Sequence, residues 1–145
     1  MTDSVVVIGN FDGVHPGHRE VLRRALALEP GLPLIVVTFW PHPVSVVRPG
    51  QAPMLLTSLA EREALLREAG ADHVVVVDFT PAFAKLSPEQ FLSEVIVPLR
   101  PRRVVVGANF RFGFRAAGNV ETLAEFGRLR GFEVTALELV GLGDE

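Results

Sequence analysis

Five short apolar runs punctuate the chain: Val5 to Ile8, Leu34 to Phe39, Val74 to Val77, Val104 to Val106 and Val134 to Leu139. They are rich in β-branched residues and do not alternate between apolar and polar positions. A strand with one wet face alternates, whereas one covered on both faces does not, so these runs read as strands of a parallel sheet enclosed by helices. The intervals between them carry the helices. Val21, Leu22, Ala25 and Leu26 share one helical face, with Pro16 suited to the first turn and Gly31 to the exit. Ser58 with Glu61 three places on predicts a capping box ahead of Leu65 and Leu66, in a helix ending near Gly70; Ser87, Pro88 and Gln90 repeat the device. Asn119 or Gly118 opens a last helix through Leu123, Phe126 and Leu129, closed by Gly131. Repeated β-α alternation with right-handed crossovers predicts a doubly wound α/β fold, a three-layer α/β/α sandwich. Ligands of such folds lie in the crevice at the carboxyl ends of the strands.

A chain of 145 residues, 48% of them hydrophobic, suits one domain with one core. The net charge of −3 supplies no sequence-wide basic field, so neither nucleic acid nor an anionic membrane is an expected partner, and any bound anion must be held locally. Cysteine is absent, which removes disulfides, thiolate nucleophiles and cysteine-rich zinc sites, and leaves four histidines and the carboxylates as possible metal ligands. Met1 to Ser4 carries no basic n-region, and Val5 to Ile8 is far shorter than the roughly 18 residues a membrane span needs. A soluble, unexported, cytoplasmic protein is the expectation.

Three loops after strands concentrate unusual residues: Gly9 to His18, Trp40 to Thr57, and Gly107 to Gly118. The first reads Gly9, Asn10, Phe11, Asp12, Gly13, Val14, His15, Pro16, Gly17, His18 and then enters a helix. A helix start offers unpaired N–H groups and a positive dipole end, so phosphate is stabilised there without a basic side chain. His15 and His18, three residues apart, can both donate hydrogen bonds to phosphate oxygens. Gly17 lets a nucleotide approach the backbone, and Gly9 and Gly13 allow a sharp turn. Two rival readings stand beside this one. The histidines could merely decorate a helix start, or they could hold zinc with Asp12, although no third protein ligand is well placed.

In the second loop Phe39, Trp40, Pro41, His42 and Pro43 offer an aromatic and proline surface for a flat ring, or else a rigid strand exit covering core. The prolines make Trp40 to Pro53 a long loop rather than a domain boundary. In the third, Asn109 follows the fourth strand, and Phe110, Phe112 and Phe114 alternate with Arg111 and Arg115, which also suits one buried and one solvated side of a hairpin-like segment. The remaining arginines, including Arg23, Arg24, Arg62, Arg67, Arg128 and Arg130, are expected on solvated outer helix faces, with one lysine against thirteen arginines marking a compositional bias. His73, leading into the third strand, reads as structural.

H-P-G-H after a strand resembles the HxGH signature of the nucleotidyltransferase superfamily, a short signal shared by several adenylyl- and cytidylyltransferases. The longer strings are more specific. G-N-F-D-G-V-H-P-G-H at 9 to 18, T-F-W-P-H-P at 38 to 43, and V-G-A-N-F-R-F-G continuing to A-A-G-N at Asn119 together resemble the N-terminal adenylyltransferase module of bacterial bifunctional riboflavin kinase and FAD synthetase, over nearly all of the chain.

The resemblance implies the superfamily's parallel, five-stranded, Rossmann-like sheet and an FMN adenylyltransferase: FMN attacks the α-phosphorus of ATP, with magnesium on the phosphates, to give FAD and pyrophosphate with no covalent intermediate. By the same resemblance His15, His18 and Asn109 serve the reacting phosphates, and Gly9, Asn10, Phe11, Asp12, Gly17 and Gly107 line the nucleotide site. Phe39, Pro41, His42, Pro43 and Arg111 face the flavin; Met54 to Thr57 either close the loop over it or form an ordinary staple onto the second helix. Asp12 could instead orient His15, hold magnesium through water, or stabilise its turn. No residue is assigned as a direct metal ligand.

Residues 1–145 are thus expected to form a single adenylyltransferase domain, without the serine- and threonine-rich segment ending in arginine, or the riboflavin kinase domain, that follow in the family. Two alternatives remain at this point: an ATP- or flavin-binding fragment without turnover, and another HxGH enzyme such as a pantetheine-phosphate or nicotinate-mononucleotide adenylyltransferase.

Overall fold

The computed structural model describes residues 3–9, 11, 16–40, 58–108 and 110–138. Five strands, β1 (Ser4–Ile8), β2 (Leu34–Trp40), β3 (His73–Asp78), β4 (Pro101–Gly107) and β5 (Glu133–Leu137), form one parallel sheet in the order β3-β2-β1-β4-β5. Helices α1 (Pro16–Leu28) and α2 (Leu59–Glu68) follow β1 and β2, while α3 (Pro88–Phe91) and α4 (Val120–Arg130) precede β4 and β5.

Alternate residues of the central strands feed two cores. Val5, Val7, Leu34, Val36 and Val105 pack with Val21, Leu22, Ala25 and Leu66 of α1 and α2. Val6, Ile8, Val37, Val104 and Val106 pack with Phe91, Leu92, Ile96, Leu123 and Phe126 on the other face. The result is the expected three-layer α/β/α sandwich, and it explains the unalternating runs: β1 is buried at every residue. Burial of each large apolar side chain contributes roughly 1.5–3 kcal/mol. The edge strands differ. β3 and β5 each bury one residue fully and leave others half-covered, because a strand with one neighbour has less of the helical layers above it.

The capping signals place the helices. Ser58 Oγ accepts the Glu61 N–H at 3.1 Å while the Glu61 carboxylate accepts the Ser58 N–H at 2.9 Å, and Ser87 with Gln90 does the same at α3. Asn119, rather than Gly118, caps α4 through a reciprocal pair with Thr122. Gly131 closes α4 with φ of 91°, a left-handed conformation that glycine adopts without cost from a Cβ.

Three expectations are corrected. The helix after Ser87 is a single α-turn running into a π-turn at Leu92–Ile96 and a 3-10 turn at Val97–Leu99. Pro98 has no N–H to continue the ladder, and Arg100, at φ of 56°, turns the chain into β4. Leu129 is 80% exposed and Leu26 37% exposed, so neither belongs to its helix's core face. The fifth strand ends at Leu137, short of the run read from sequence.

Candidate functional site

The sheet order fixes where a ligand site can form. From β1 the chain climbs to α1 on one face, whereas from β4 it leads to α4 on the other, so the crevice opens between the carboxyl ends of β1 and β4. Val7 pairs with Val105, which brings Gly9 and Gly107, each two residues further on, to the same edge. The Gly9 N–H still donates to the Val37 carbonyl at 3.0 Å and the Ala108 N–H to the Leu137 carbonyl at 3.0 Å, so both strand ends are held by their neighbours.

Just beyond Gly9, Phe11 adopts φ of 56°, left-handed for a residue with a Cβ, and is only 3% exposed. Such a conformation costs on the order of 1–3 kcal/mol and persists where surrounding contacts dictate it. The Phe11 ring meets the His18 ring edge-on, at 5.1 Å between centroids and 80° between planes. It also lies against Gly9, where an added Cβ would sit 2.9 Å from two ring carbons. Gly9, Phe11 and His18 therefore form one packed unit, with His18 itself 1% exposed on the first turn of α1. Phe11 was read from sequence as lining the nucleotide site; its side chain is instead core between β1 and α1. Gly17, beside His18, is also buried.

The charge at this helix start is distinctive. The first turns of α2, α3 and α4 carry Glu61, Glu89 and Glu121, while α1 has no acidic residue in its first turn. A carboxylate there would offset the positive dipole end. The first turn of α1 itself supplies no such carboxylate. The acidic residue of α1, Glu20, lies further along, and its hydrogen bond from Arg23 holds the carboxyl below the usual range.

The residues that the resemblance assigns to the flavin divide. Phe39 is 8% exposed and packs on Phe79 and Phe91 at 5.9 and 6.1 Å, so its ring takes the core-covering role of the two read from sequence. Trp40 ends β2 half-buried. Arg111 is exposed, its Nε donating to the Ala116 carbonyl at 3.2 Å across a short loop that Phe112 and Gly118 close with reciprocal backbone bonds. Phe112 fills the core and Phe110 stacks on it at 5.3 Å, but Phe114 is 43% exposed, correcting the expectation of three buried rings on one side. His73 is an exposed first residue of β3 paired with Ile35. The expectations for Asn10, Asp12, Gly13, His15, Asn109, Pro41, His42, Pro43 and Met54 to Thr57 fall outside the described residues.

One residue overturns its sequence reading completely. Arg62, expected on a solvated helix face, is 0% exposed. Its Nη1 donates to the Thr38 hydroxyl and to the Phe39 carbonyl, both at 3.1 Å, and its guanidinium carbon lies 5.4 Å from the centre of the Trp40 ring. The available signal was positional: Arg62 lies four residues before the buried Leu66, one helical turn along the same face. Among the described residues no three histidine, aspartate or glutamate side chains gather as a metal cage, and no helix is long and apolar enough to cross a membrane.

A family model for FAD synthetase matches residues 1–145. Bifunctional riboflavin kinase/FMN adenylyltransferase from Escherichia coli (strain K12) is 38% identical over 92% of this chain and 44% of its own length. The Bacillus subtilis (strain 168) protein of the same name is 38% identical over 84% of this chain and 40% of its own. The chain thus spans under half the length of these relatives. Among solved structures, that of a macrolide-efflux protein from Streptococcus pneumoniae superimposes with a TM-score of 0.82 at 31% identity, covering 94% of this chain and 45% of that one.

Proposed function

The chain belongs to the FAD synthetase family, and from that premise we propose that it transfers the adenylyl group of ATP to FMN, giving FAD and pyrophosphate. A phosphate oxygen of FMN attacks the α-phosphorus in line; the bond from that phosphorus to the bridging oxygen of the β-phosphate breaks, and pyrophosphate leaves. Such a step asks for positioning and for stabilisation of developing negative charge rather than for a protein nucleophile.

The observation that carries the reading is His18. This histidine of the H-P-G-H motif is fixed by the Phe11 ring on the first turn of α1, a turn without acidic residues, on the helix that follows β1 out of the crevice. In the proposal His15 and His18 hold the phosphates of ATP, with Asn109 serving the reacting phosphates from the β4 side. Gly9, Asn10, Asp12, Gly17 and Gly107 form the nucleotide wall, Pro41, His42, Pro43 and Arg111 face the flavin, and Phe11 and Phe39 support from the core. Magnesium bound to ATP would supply neutralisation of phosphate charge. Among the described residues no three candidate ligands gather to hold a metal.

Acceptor selection tests the reading. ATP and magnesium are offered with FMN, nicotinate mononucleotide or pantetheine phosphate, and pyrophosphate release is followed. Release with FMN alone is expected. Release with either other acceptor and none with FMN would assign the chain a different adenylyl transfer.

A further inference from the structure

A buried guanidinium must be compensated, because taking an unpaired charge out of water costs several kcal/mol or more. Arg62 is wholly buried, and three of its partners lie side by side in the chain. They are Thr38, Phe39 and Trp40, three consecutive residues at the carboxyl end of β2, met through a hydroxyl, a carbonyl and an indole face respectively. One side chain, delivered from the first turns of α2, thus grips the whole T-F-W half of the T-F-W-P-H-P string. The planar fork of arginine suits this grip: Nη1 serves two acceptors while the delocalised plane lies near an aromatic ring. The lower part of α2 uses Leu66 for the same sheet face, with no charge involved. Covering that face therefore does not by itself call for a charge at position 62.

We propose that Arg62 is a positioning residue for FMN, fixing the Thr38–Trp40 end of β2 as the rigid base of the flavin side of the site. The proposal rests on the FMN adenylyltransferase reading given above. Arg62 acts through Trp40 and the β2 backbone and does not itself touch the substrate.

The test compares the unmutated chain with Arg62→Met, Arg62→Lys and Thr38→Val. Separate calorimetric titrations measure FMN and ATP binding, thermal unfolding reports stability, and the emission of Trp40, the sole tryptophan, reports its environment. Arg62→Met is expected to stay folded, to shift the Trp40 emission and to bind FMN about tenfold more weakly, roughly 1.4 kcal/mol, with ATP affinity within about twofold. Arg62→Lys keeps the cation near the indole but loses the fork, so it should recover part of the FMN affinity. Thr38→Val removes one acceptor without touching the arginine and should weaken FMN about threefold even if Arg62→Met does not fold. FMN affinity unchanged in the folded variants, or FMN and ATP affinities falling together, would overturn the positioning role. An unmutated chain that binds ATP but no FMN would overturn the function reading, and this proposal with it.

Discussion

The unit of Gly9, Phe11 and His18 shows how far single residues can be read. Glycine at position 9 is legible as a turn residue, but its steric reason is not: the missing Cβ makes room for a ring two residues on, whose left-handed backbone directs it inward. Only the family resemblance assigns Phe11 to the nucleotide site, and no periodicity marks such a loop residue as core. Arg62 failed for the opposite reason. Charge on a helix reads as solvated by default, and that default outweighs the one sequence signal against it, a place one turn before Leu66 on the same face; the contacts of α2 with β2 show position 62 facing inward. The unit makes a definite prediction. Gly9→Ala should destabilise the fold by about 1–3 kcal/mol through overpacking against the Phe11 ring. Because that ring bears on His18, ATP affinity should fall at least several-fold while FMN affinity holds. Urea unfolding and paired titrations check both halves, and a destabilised variant with unaltered ATP affinity would uncouple Gly9 from His18.

Elements were far more legible than residues. Capping boxes at Ser58, Ser87 and Asn119 mark helix starts because the geometry they satisfy is local, complete within four residues and indifferent to tertiary packing. Helix ends and faces were read less well. Leu129 fits the period of Leu123 and Phe126 but extends past the sheet surface into solvent, which periodicity alone does not register. The collapse of the third helix into π- and 3-10 turns was written in Pro98, yet its extent depends on where β4 must begin. Asn119→Ala removes a reciprocal cap at the exit of the loop that follows β4. It should cost about 1 kcal/mol and lower the melting temperature by about 3 °C. FMN and ATP affinities should change little, as measured by titration beside thermal unfolding, because the hydrogen bonds described for the cap stay within Asn119 and Thr122. A large affinity loss with unchanged melting would place Asn119 in the site instead.

At the scale of the molecule, five unalternating β-branched runs and the helices between them imply a doubly wound sheet, and the strand order β3-β2-β1-β4-β5 then puts the crevice between β1 and β4. Sequence could name the loops at that edge without giving the order, because which strands neighbour one another is settled by long-range pairing. The H-P-G-H string leads into the helix after β1 and the N-F-R-F-G string follows β4, the two paired strands at which the helices change face. The central claim is that the crevice joins FMN to an adenylyl group with His18 stabilising the transferred phosphate. Its most direct test is chromatographic detection of FAD after incubation of the chain with FMN, ATP and magnesium, beside His18→Ala. The account predicts FAD from the unmutated chain and a rate at least about a hundredfold lower from the variant, the scale of losing one transition-state donor. FAD formed equally by both would remove His18 from the chemistry, and no FAD from the unmutated chain would contradict the account.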